Sequence, residues 1–242
     1  MKNQYFGDIN DYRKYGLLRA IIDSTELRIF VAWMLTPDDG SRDGKFIDYL
    51  HDRNTWRRFD PPLFDVLKEA MHSDIPRHVR LIEKSNIIAR STYESSTVPD
   101  GAIERRQWFE ELLEKATDSD LVFLDPDNSF EVKSRPYGRK ASSKYVYWRE
   151  VESLWQRGKS LLIYQHFIRK KKPAYTQRML NDLQHSTPDS FVETFSTSNV
   201  LFLLALQPEH QCFHRPVVKL VRERWSGQIE HSARTQTQHE AT

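Results

Sequence analysis

The segment Leu121-Val-Phe-Leu-Asp-Pro-Asp-Asn128 joins a short apolar run to a polar stop. Pro126 fixes its own φ and restricts Asp125 to extended geometry, so the turn is stiff. A stiff loop at a strand end can aim a carboxylate and a carboxamide into a cleft. Asp125 or Asn128 can then accept a hydrogen bond from an amino group such as adenine N6. The same four residues, Asp125, Pro126, Asp127 and Asn128, are also ordinary turn chemistry. A second apolar run, Ser160–Tyr164, stops at Gln165-His166. His166 can shuttle a proton, bind a metal or serve as a hydrogen-bonded structural residue, and Gln165 can read a base edge. Near the N-terminus, Asp11 and Lys14 are three apart and share a helix face with Leu18. Such a pair is either a surface ion pair worth ~0.3–0.5 kcal/mol or part of a ligand-facing group.

Two basic clusters follow the site-bearing runs. Lys133, Arg135, Arg139, Lys140 and Lys144 occur with no acidic residue between Lys133 and Lys144, and Tyr137 and Tyr145 interleave with them. Arg169, Lys170, Lys171 and Lys172 form the second cluster. Basic charge with aromatics suits phosphate contact and base stacking on a nucleic acid. Solvated loops are the plainer reading. Gly138 and Ser142-Ser143 suggest that the first cluster is mobile until a partner binds.

These residues need elements to place them. Asn10–Ser24 reads as a helix with Asn10 as N-cap and an apolar stripe of Leu17, Leu18, Ile21 and Ile22. Leu27–Leu35 reads as a strand ending in the turn signal Thr36-Pro-Asp-Asp-Gly40. Helices are expected over Asp60–Ser73, Ala102–Thr117, Tyr145–Arg157 and Pro173–His185, and a strand over Val79–Ile88. Leu121–Leu124 and Ser160–Tyr164 suit strands buried on both faces of a parallel sheet. Phe191–Ser196 and Val200–Leu206 read as a hairpin around Thr197–Asn199, and Ser226–Thr242 as a polar tail.

The rhythm implies an α/β fold, a mostly parallel sheet with a late antiparallel hairpin and helices on both faces. The expectation is one domain over 1–225 with a flexible tail over 226–242. Ligands of such sheets sit outside the carboxyl ends of the strands, which selects the loops Thr36–Gly44, Asp125–Lys133 and Gln165–Arg169.

The 242 residues suffice for a large core. The single cysteine excludes an internal disulfide and a cysteine-ligated zinc site within one chain. Val200–Leu206 is too short to span a bilayer, and Asp8 and Asp11 do not suit a signal peptide. A cytoplasmic protein with no membrane partner is the expectation. The net charge of +2 neither demands nor excludes a nucleic-acid partner.

Asp125-Pro-Asp-Asn128 sits where Rossmann-like amino-methyltransferases carry [D/N]-P-P-[Y/F]. Gly7-Asp-Ile-Asn-Asp11-Tyr-Arg-Lys14-Tyr-Gly-Leu-Leu18 resembles the G-N-H-x-D-x-x-K-H-x-x-L opening of the 23S rRNA adenine-N6 methyltransferases of the RlmJ type, with Gly7, Asp11, Lys14 and Leu18 matching. Leu162-Ile-Tyr164-Gln-His166-Phe-Ile-Arg169 is similar to that family's strand ending in W-Y-P, and Ser198-Asn-Val-Leu-Phe-Leu-Leu-Ala205 to its late hairpin strand. The resemblance implies a Rossmann-like methyltransferase sandwich that uses S-adenosylmethionine, no metal, and an exocyclic amine of RNA or DNA as acceptor. It implies that Lys14 and Tyr15 lie near the cofactor, with Asp38, Asp39, Gly40 and Gly44 in place of the family's Gly-rich loop. Asp125, Pro126, Asp127, Asn128 and His166 become the catalytic set. Lys133, Arg139, Lys140, Lys144, Arg169, Lys170 and Lys171 become the nucleic-acid contacts. Asn128 replaces the aromatic that stacks on the target base, and nearby Phe130 is the candidate substitute.

Two other readings stay open. Asp125, Asp127, Glu131 and Lys133 could form a Mg²⁺-dependent nuclease site, although its E-x-K normally lies on a second strand. A catalytically inactive nucleic-acid-binding member of the fold is the third.

Overall fold

A computed structural model of the chain describes residues 1–41, 44–167 and 172–233. Arg169, Lys170 and Lys171 of the second basic cluster lie outside these residues, as do Asp43 and residues 234–242 of the expected tail.

Helix α1 spans Ile9–Ser24, and its N-cap is Asp8, whose carboxylate accepts from the Asn10 and Asp11 amides. The expected cap, Asn10, lies within the first turn. Strand β1 (Ile29–Ala32) is shorter than its apolar run, because Met34 takes a positive φ of 45° and breaks the pleat. Helices α2 (Arg53–Trp56) and α3 (Pro61–His72) follow, the latter capped by the Asp60 carboxylate with proline in its first turn. Val79–Ile88, expected as a strand, contains helix α4 (Arg80–Ser85) instead. Val79 and Ile82 bury one helical face, and Asn86 ends the helix in the left-handed region at φ 52°. Strand β2 (Ser91–Glu94) had no apolar signature, being an edge strand that fully buries only Glu94.

Next come α5 (Ala102–Lys115), β3 (Leu121–Leu124), β4 (Ser129–Phe130), β5 (Tyr145–Val146) and α6 (Trp148–Gln156). The helix expected from Tyr145 starts three residues later, because Tyr145 and Val146 pair in parallel with Ser129 and Phe130. The rest is β6 (Ser160–His166), α7 (Lys172–Ser186), β7 (Phe191–Ser196), β8 (Val200–Leu206), α8 (His214–Trp225) and β9 (Glu230–Ala233). β9 pairs with β7, so residues 230–233 belong to the sheet rather than to a flexible tail. Among the described residues, no helix is long and apolar enough to cross a membrane.

The seven-stranded sheet has the order β2-β1-β3-β6-β8-β7-β9. β2, β1, β3 and β6 run parallel, β8 inserts antiparallel between β6 and β7, and β9 is antiparallel to β7. The sheet is therefore mostly parallel in direction, with a late hairpin. Alternate residues of the inner strands bury opposite faces. Ile29, Val31, Phe123, Leu162 and Phe202 pack with α1, α3, α4 and α8. Phe30, Ala32, Val122, Ile163 and Leu203 pack with α5, α6 and α7. The chain runs from β1 out to β2 and returns to β3 on the other side of β1. The carboxyl ends of β1 and β3 thus flank the point where strand order reverses, the usual ligand crevice of an open α/β sheet.

Helix α1 meets α8 at Gly16. A Cβ there would stand 1.9 Å from Cζ2 of Trp225, whose side chain is fully buried. The Gly16→Ala variant is expected to lose ~1–3 kcal/mol or more to overpacking, read by urea unfolding. An unchanged midpoint would contradict this close packing.

Candidate functional site

The site begins with a buried charge on α1. Lys14, only 3% exposed, places Nζ 2.7 Å from Asp11 Oδ1 and 2.7 Å from Asp125 Oδ2. Asp11 Oδ2 in turn accepts from the Tyr15 hydroxyl and the Gly7 amide, both at 3.0 Å. The Tyr164 ring lies beneath, its centroid 5.1 Å from Nζ. The Asp11–Lys14 pair is therefore internal, and the surface ion-pair reading is set aside. Burial works against the Lys14 charge, but the Asp11 and Asp125 carboxylates outweigh it and hold its pKa above the ordinary lysine range. Burial pushes the Asp125 carboxyl up, and the Lys14 ammonium opposes that rise.

The turn after β3 supplies the other wall. The Asp125 amide donates to the Ala32 carbonyl at 3.0 Å, which ties the end of β3 to β1. Asp127 Oδ2 lies 3.5 Å from Lys2 Nζ and 3.4 Å from Lys144 Nζ. Asp127 Oδ1 is buried and has no hydrogen-bond partner among the described residues. The Asn128 amide donates to the Lys144 carbonyl at 2.9 Å, fixing the turn against the basic loop.

These elements enclose a cavity of about 470 Å³, within the range of small-ligand sites. Of the residues singled out from sequence, Asp11, Lys14, Gly44, Asp125, Pro126, Asp127, Asn128 and His166 border it. Tyr5, Asp8, Asn10, Phe46 and Tyr164 border it as well, and sequence reasoning missed them. Asp8 had a signal, since it precedes Asn10 as an equally good cap. Phe46 had none, because Ile47, Tyr49 and Leu50 beside it make it read as part of a packed segment. His166 is exposed at the mouth, edge-on to Tyr164. Desolvation by the surrounding wall, then the Lys14 and N-terminal ammonium charges, lower its pKa to about 4. Its solvent contact moderates that desolvation, and the ring is neutral near pH 7.

Several sequence candidates lie elsewhere. Tyr15 is buried behind Asp11 and does not border the cavity. Asp38, Asp39 and Gly40 do not border it either. They clasp the N-terminal turn: Asp39 pairs with Lys2 at 2.7 Å, and Asp38 accepts from the Gln4 amide at 3.1 Å. The Gly40 amide donates to Gln4 Oε1 at 3.3 Å. Gln165 is fully buried and links β4 to β6 by accepting from the Phe130 amide at 2.9 Å, so it cannot read a base edge. Phe130 is buried and stacked on Trp148 with centroids 4.1 Å apart, so it is no substitute base platform.

The first basic cluster lies on the β4–β5 connection. Lys133, Arg139 and Lys140 are exposed there, and only Lys144 reaches the site. This loop is braced by several hydrogen bonds. Asp100 accepts from the Ala141 and Ser143 amides at 2.7 and 2.8 Å. The fully buried Arg105 holds Glu150 with two nitrogens and donates to the Ser142 and Tyr145 carbonyls. Gly138, at φ 76°, lies so close to Ala102 that a Cβ would stand 2.5 Å from the alanine Cβ. Glu131 accepts from the Trp148 amide at 3.3 Å, and neither it nor Lys133 borders the cavity. Among the described residues no three His, Cys, Asp or Glu side chains form a metal-binding group.

Two outcomes follow from the buried charges. Lys14→Met leaves two carboxylates facing each other without their cation, and is expected to cost ~3–5 kcal/mol at neutral pH by chemical unfolding. A loss below about 1 kcal/mol would match a surface pair instead. Asp8 is pushed up to about 6, first by burial and then by the Asp11 charge. A carboxyl raised on folding stabilises at low pH, and that contribution disappears as pH rises through about 6. Asp8→Asn keeps a capping oxygen without the titration. From about pH 4 to pH 7 the wild type should lose on the order of 2–3 kcal/mol relative to Asp8→Asn. Parallel stability curves for the two proteins would contradict this.

No family model and no curated protein matches the sequence. The fold is similar to that of protein LPL1258 from Legionella pneumophila str. Philadelphia 1, described with the family model DUF519. The similarity covers 96% of this chain and 98% of that one, with a TM-score of 0.51 and 9% identity, and it shows a shared mixed α/β fold.

Proposed function

We propose that this protein is an S-adenosylmethionine-dependent methyltransferase acting on an exocyclic amine, of the adenine-N6 type, in RNA or DNA. The observation that carries the reading is the lining of the cavity. Asp8, Asp11, Asp125 and Asp127 face it, with Lys14 and the Met1 amino group set among them in the wall and with Lys2 and Lys144 beside Asp127. Asp127 Oδ1 still lacks a donor. Such a lining suits a cationic nucleoside with ammonium and sulfonium groups, so the residues fit the cofactor. Asp8, Asp11 and the Lys14 network would hold it, beside Gly44. Bound S-adenosylmethionine supplies an electrophilic methyl group.

The chain's own residues do the rest. The Asp125–Asn128 turn accepts the N–H bonds of the acceptor amine and orients its lone pair. The Lys14 ion pair holds that turn against α1, so positioning needs little rearrangement. The Tyr164 ring closes the floor and excludes water. His166, neutral near pH 7, leaves the mouth free of added positive charge. Lys133, Arg139, Lys140 and Lys144, on a loop fixed by Asp100 and Arg105, contact phosphates.

A second reading, an inactive nucleic-acid-binding member of the fold, is favoured by one feature. The loop after β1 is taken up by the N-terminal turn through Lys2, Gln4 and Thr36. The nuclease reading gains no such feature, since Glu131 and Lys133 stand outside the cavity.

Transfer of labelled methyl groups to RNA and DNA tests the proposal. Wild-type protein should incorporate label, and Asp125→Asn should lower the rate at least about 100-fold, the scale for loss of one preorganised polar contact. Nucleic-acid affinity should stay within about twofold, since phosphate contacts of the basic loop supply most of it. Unimpaired binding with no incorporation by the wild type would select the inactive member.

A further inference from the structure

Among the described phenylalanine, tyrosine and tryptophan side chains, Phe46 is the one that is mainly exposed, at 69%. Isolated exposed apolar residues are common, but this ring borders the cavity. It is also held in place. The Ile9 amide donates to the Phe46 carbonyl at 3.0 Å, and the Ile47 amide to the Lys45 carbonyl at 2.9 Å. The phenyl ring is therefore presented by a turn fixed to the start of α1.

A second, independent feature borders the same cavity. Asp127 is 7% exposed, and its Oδ1 has no partner. A buried carboxylate oxygen without a donor is costly, and a ligand N–H would satisfy it. The other rings bordering the cavity have partners: Tyr5 takes the Lys2 ammonium, Tyr164 lies under Lys14, and His166 stands edge-on to Tyr164.

A ligand that answers both features has a flat π-face and an amino group on its edge. We propose that Phe46 is the stacking platform for the acceptor base, an unpaired adenine whose N6 amine donates to Asp127 Oδ1. This assignment rests on the methyltransferase reading for the word acceptor, and on the cavity alone for the base. It explains how the site works with Asn128 in the place of an aromatic. The platform comes from the loop after β1, across the sequence from the Asp125–Asn128 turn.

The test measures binding of adenosine and of purine riboside, which lacks the amine, to wild-type, Phe46→Ala and Phe46→Trp proteins. Each titration is run with and without saturating S-adenosylhomocysteine. Phe46→Ala should weaken adenosine binding about 5- to 150-fold, equivalent to ~1–3 kcal/mol of stacking, and Phe46→Trp should restore it. Purine riboside should bind wild type at least about fivefold more weakly than adenosine, because Asp127 Oδ1 keeps no donor. Adenosine binding that ignores Phe46→Ala would overturn the platform. Equal affinity for the two nucleosides would overturn the Asp127 contact. Displacement of adenosine by S-adenosylhomocysteine would place the base in the cofactor's half and overturn the acceptor assignment. Adenosine binding that needs Phe46 in a protein that does not bind S-adenosylhomocysteine would uphold the base site and refute the methyltransferase reading.

Discussion

Burying the Lys14 ammonium requires carboxylates within hydrogen-bonding reach, and two distant parts of the chain supply them. Asp11 comes from the same helix and Asp125 from the end of β3, 111 residues further on. Each is itself constrained. Asp11 is held by Tyr15 and Gly7, and Asp125 is followed by a proline and anchored to β1 through its amide. A charge in this position is an expensive way to join a helix to a sheet, since apolar residues of the same volume would often do as well. What the ion pair adds is definition: the turn carrying Asp127 and Asn128 has one position relative to α1.

The remainder of the site is built around that joint. The N-terminal turn lies across the loop after β1, fastened by Lys2, Gln4 and the Met1 carbonyl. Gly44 allows the backbone to pass Tyr5 at a distance that a side chain would forbid, with a Cβ only 2.7 Å from the Tyr5 Cα. The basic loop is braced by Arg105 and Asp100 and brings Lys144 to Asp127. The result is a cavity at the reversal of strand order lined by four aspartates, with cations in its wall and at its edge and one unsatisfied carboxylate oxygen buried in that wall. The proposed cofactor reading rests on that polarity, which favours a cationic nucleoside over a phosphate.

The strands at the centre of the sheet were legible because burial on both faces leaves an uninterrupted apolar run. Leu121–Leu124 and Val200–Leu206 are such runs, and they appear as β3 and β8 with the bounds read from the sequence. Edge and surface elements were not legible in this way. β2 is polar because one side faces solvent. Helix α8 was passed over because Arg215, Lys219, Arg222 and Arg224 mask the buried stripe of Val217, Val218, Val221 and Trp225, whose spacing is helical. In the site, Asp125 and Lys14 could be found singly from local pattern, but their contact is long-range. Phe130 and Gln165 looked functional by position, and packing uses them instead. Phe46 matters through exposure, which local pattern does not encode.

The central claim is that the Lys14–Asp125 joint shapes the acidic cavity for a nucleoside cofactor. Calorimetric titration of the full chain with S-adenosylhomocysteine, with Mg²⁺ as a parallel titrant, tests it most directly. The account predicts saturable, stoichiometric binding of the nucleoside that does not depend on added Mg²⁺. Heat of binding from Mg²⁺ with none from the nucleoside would contradict it.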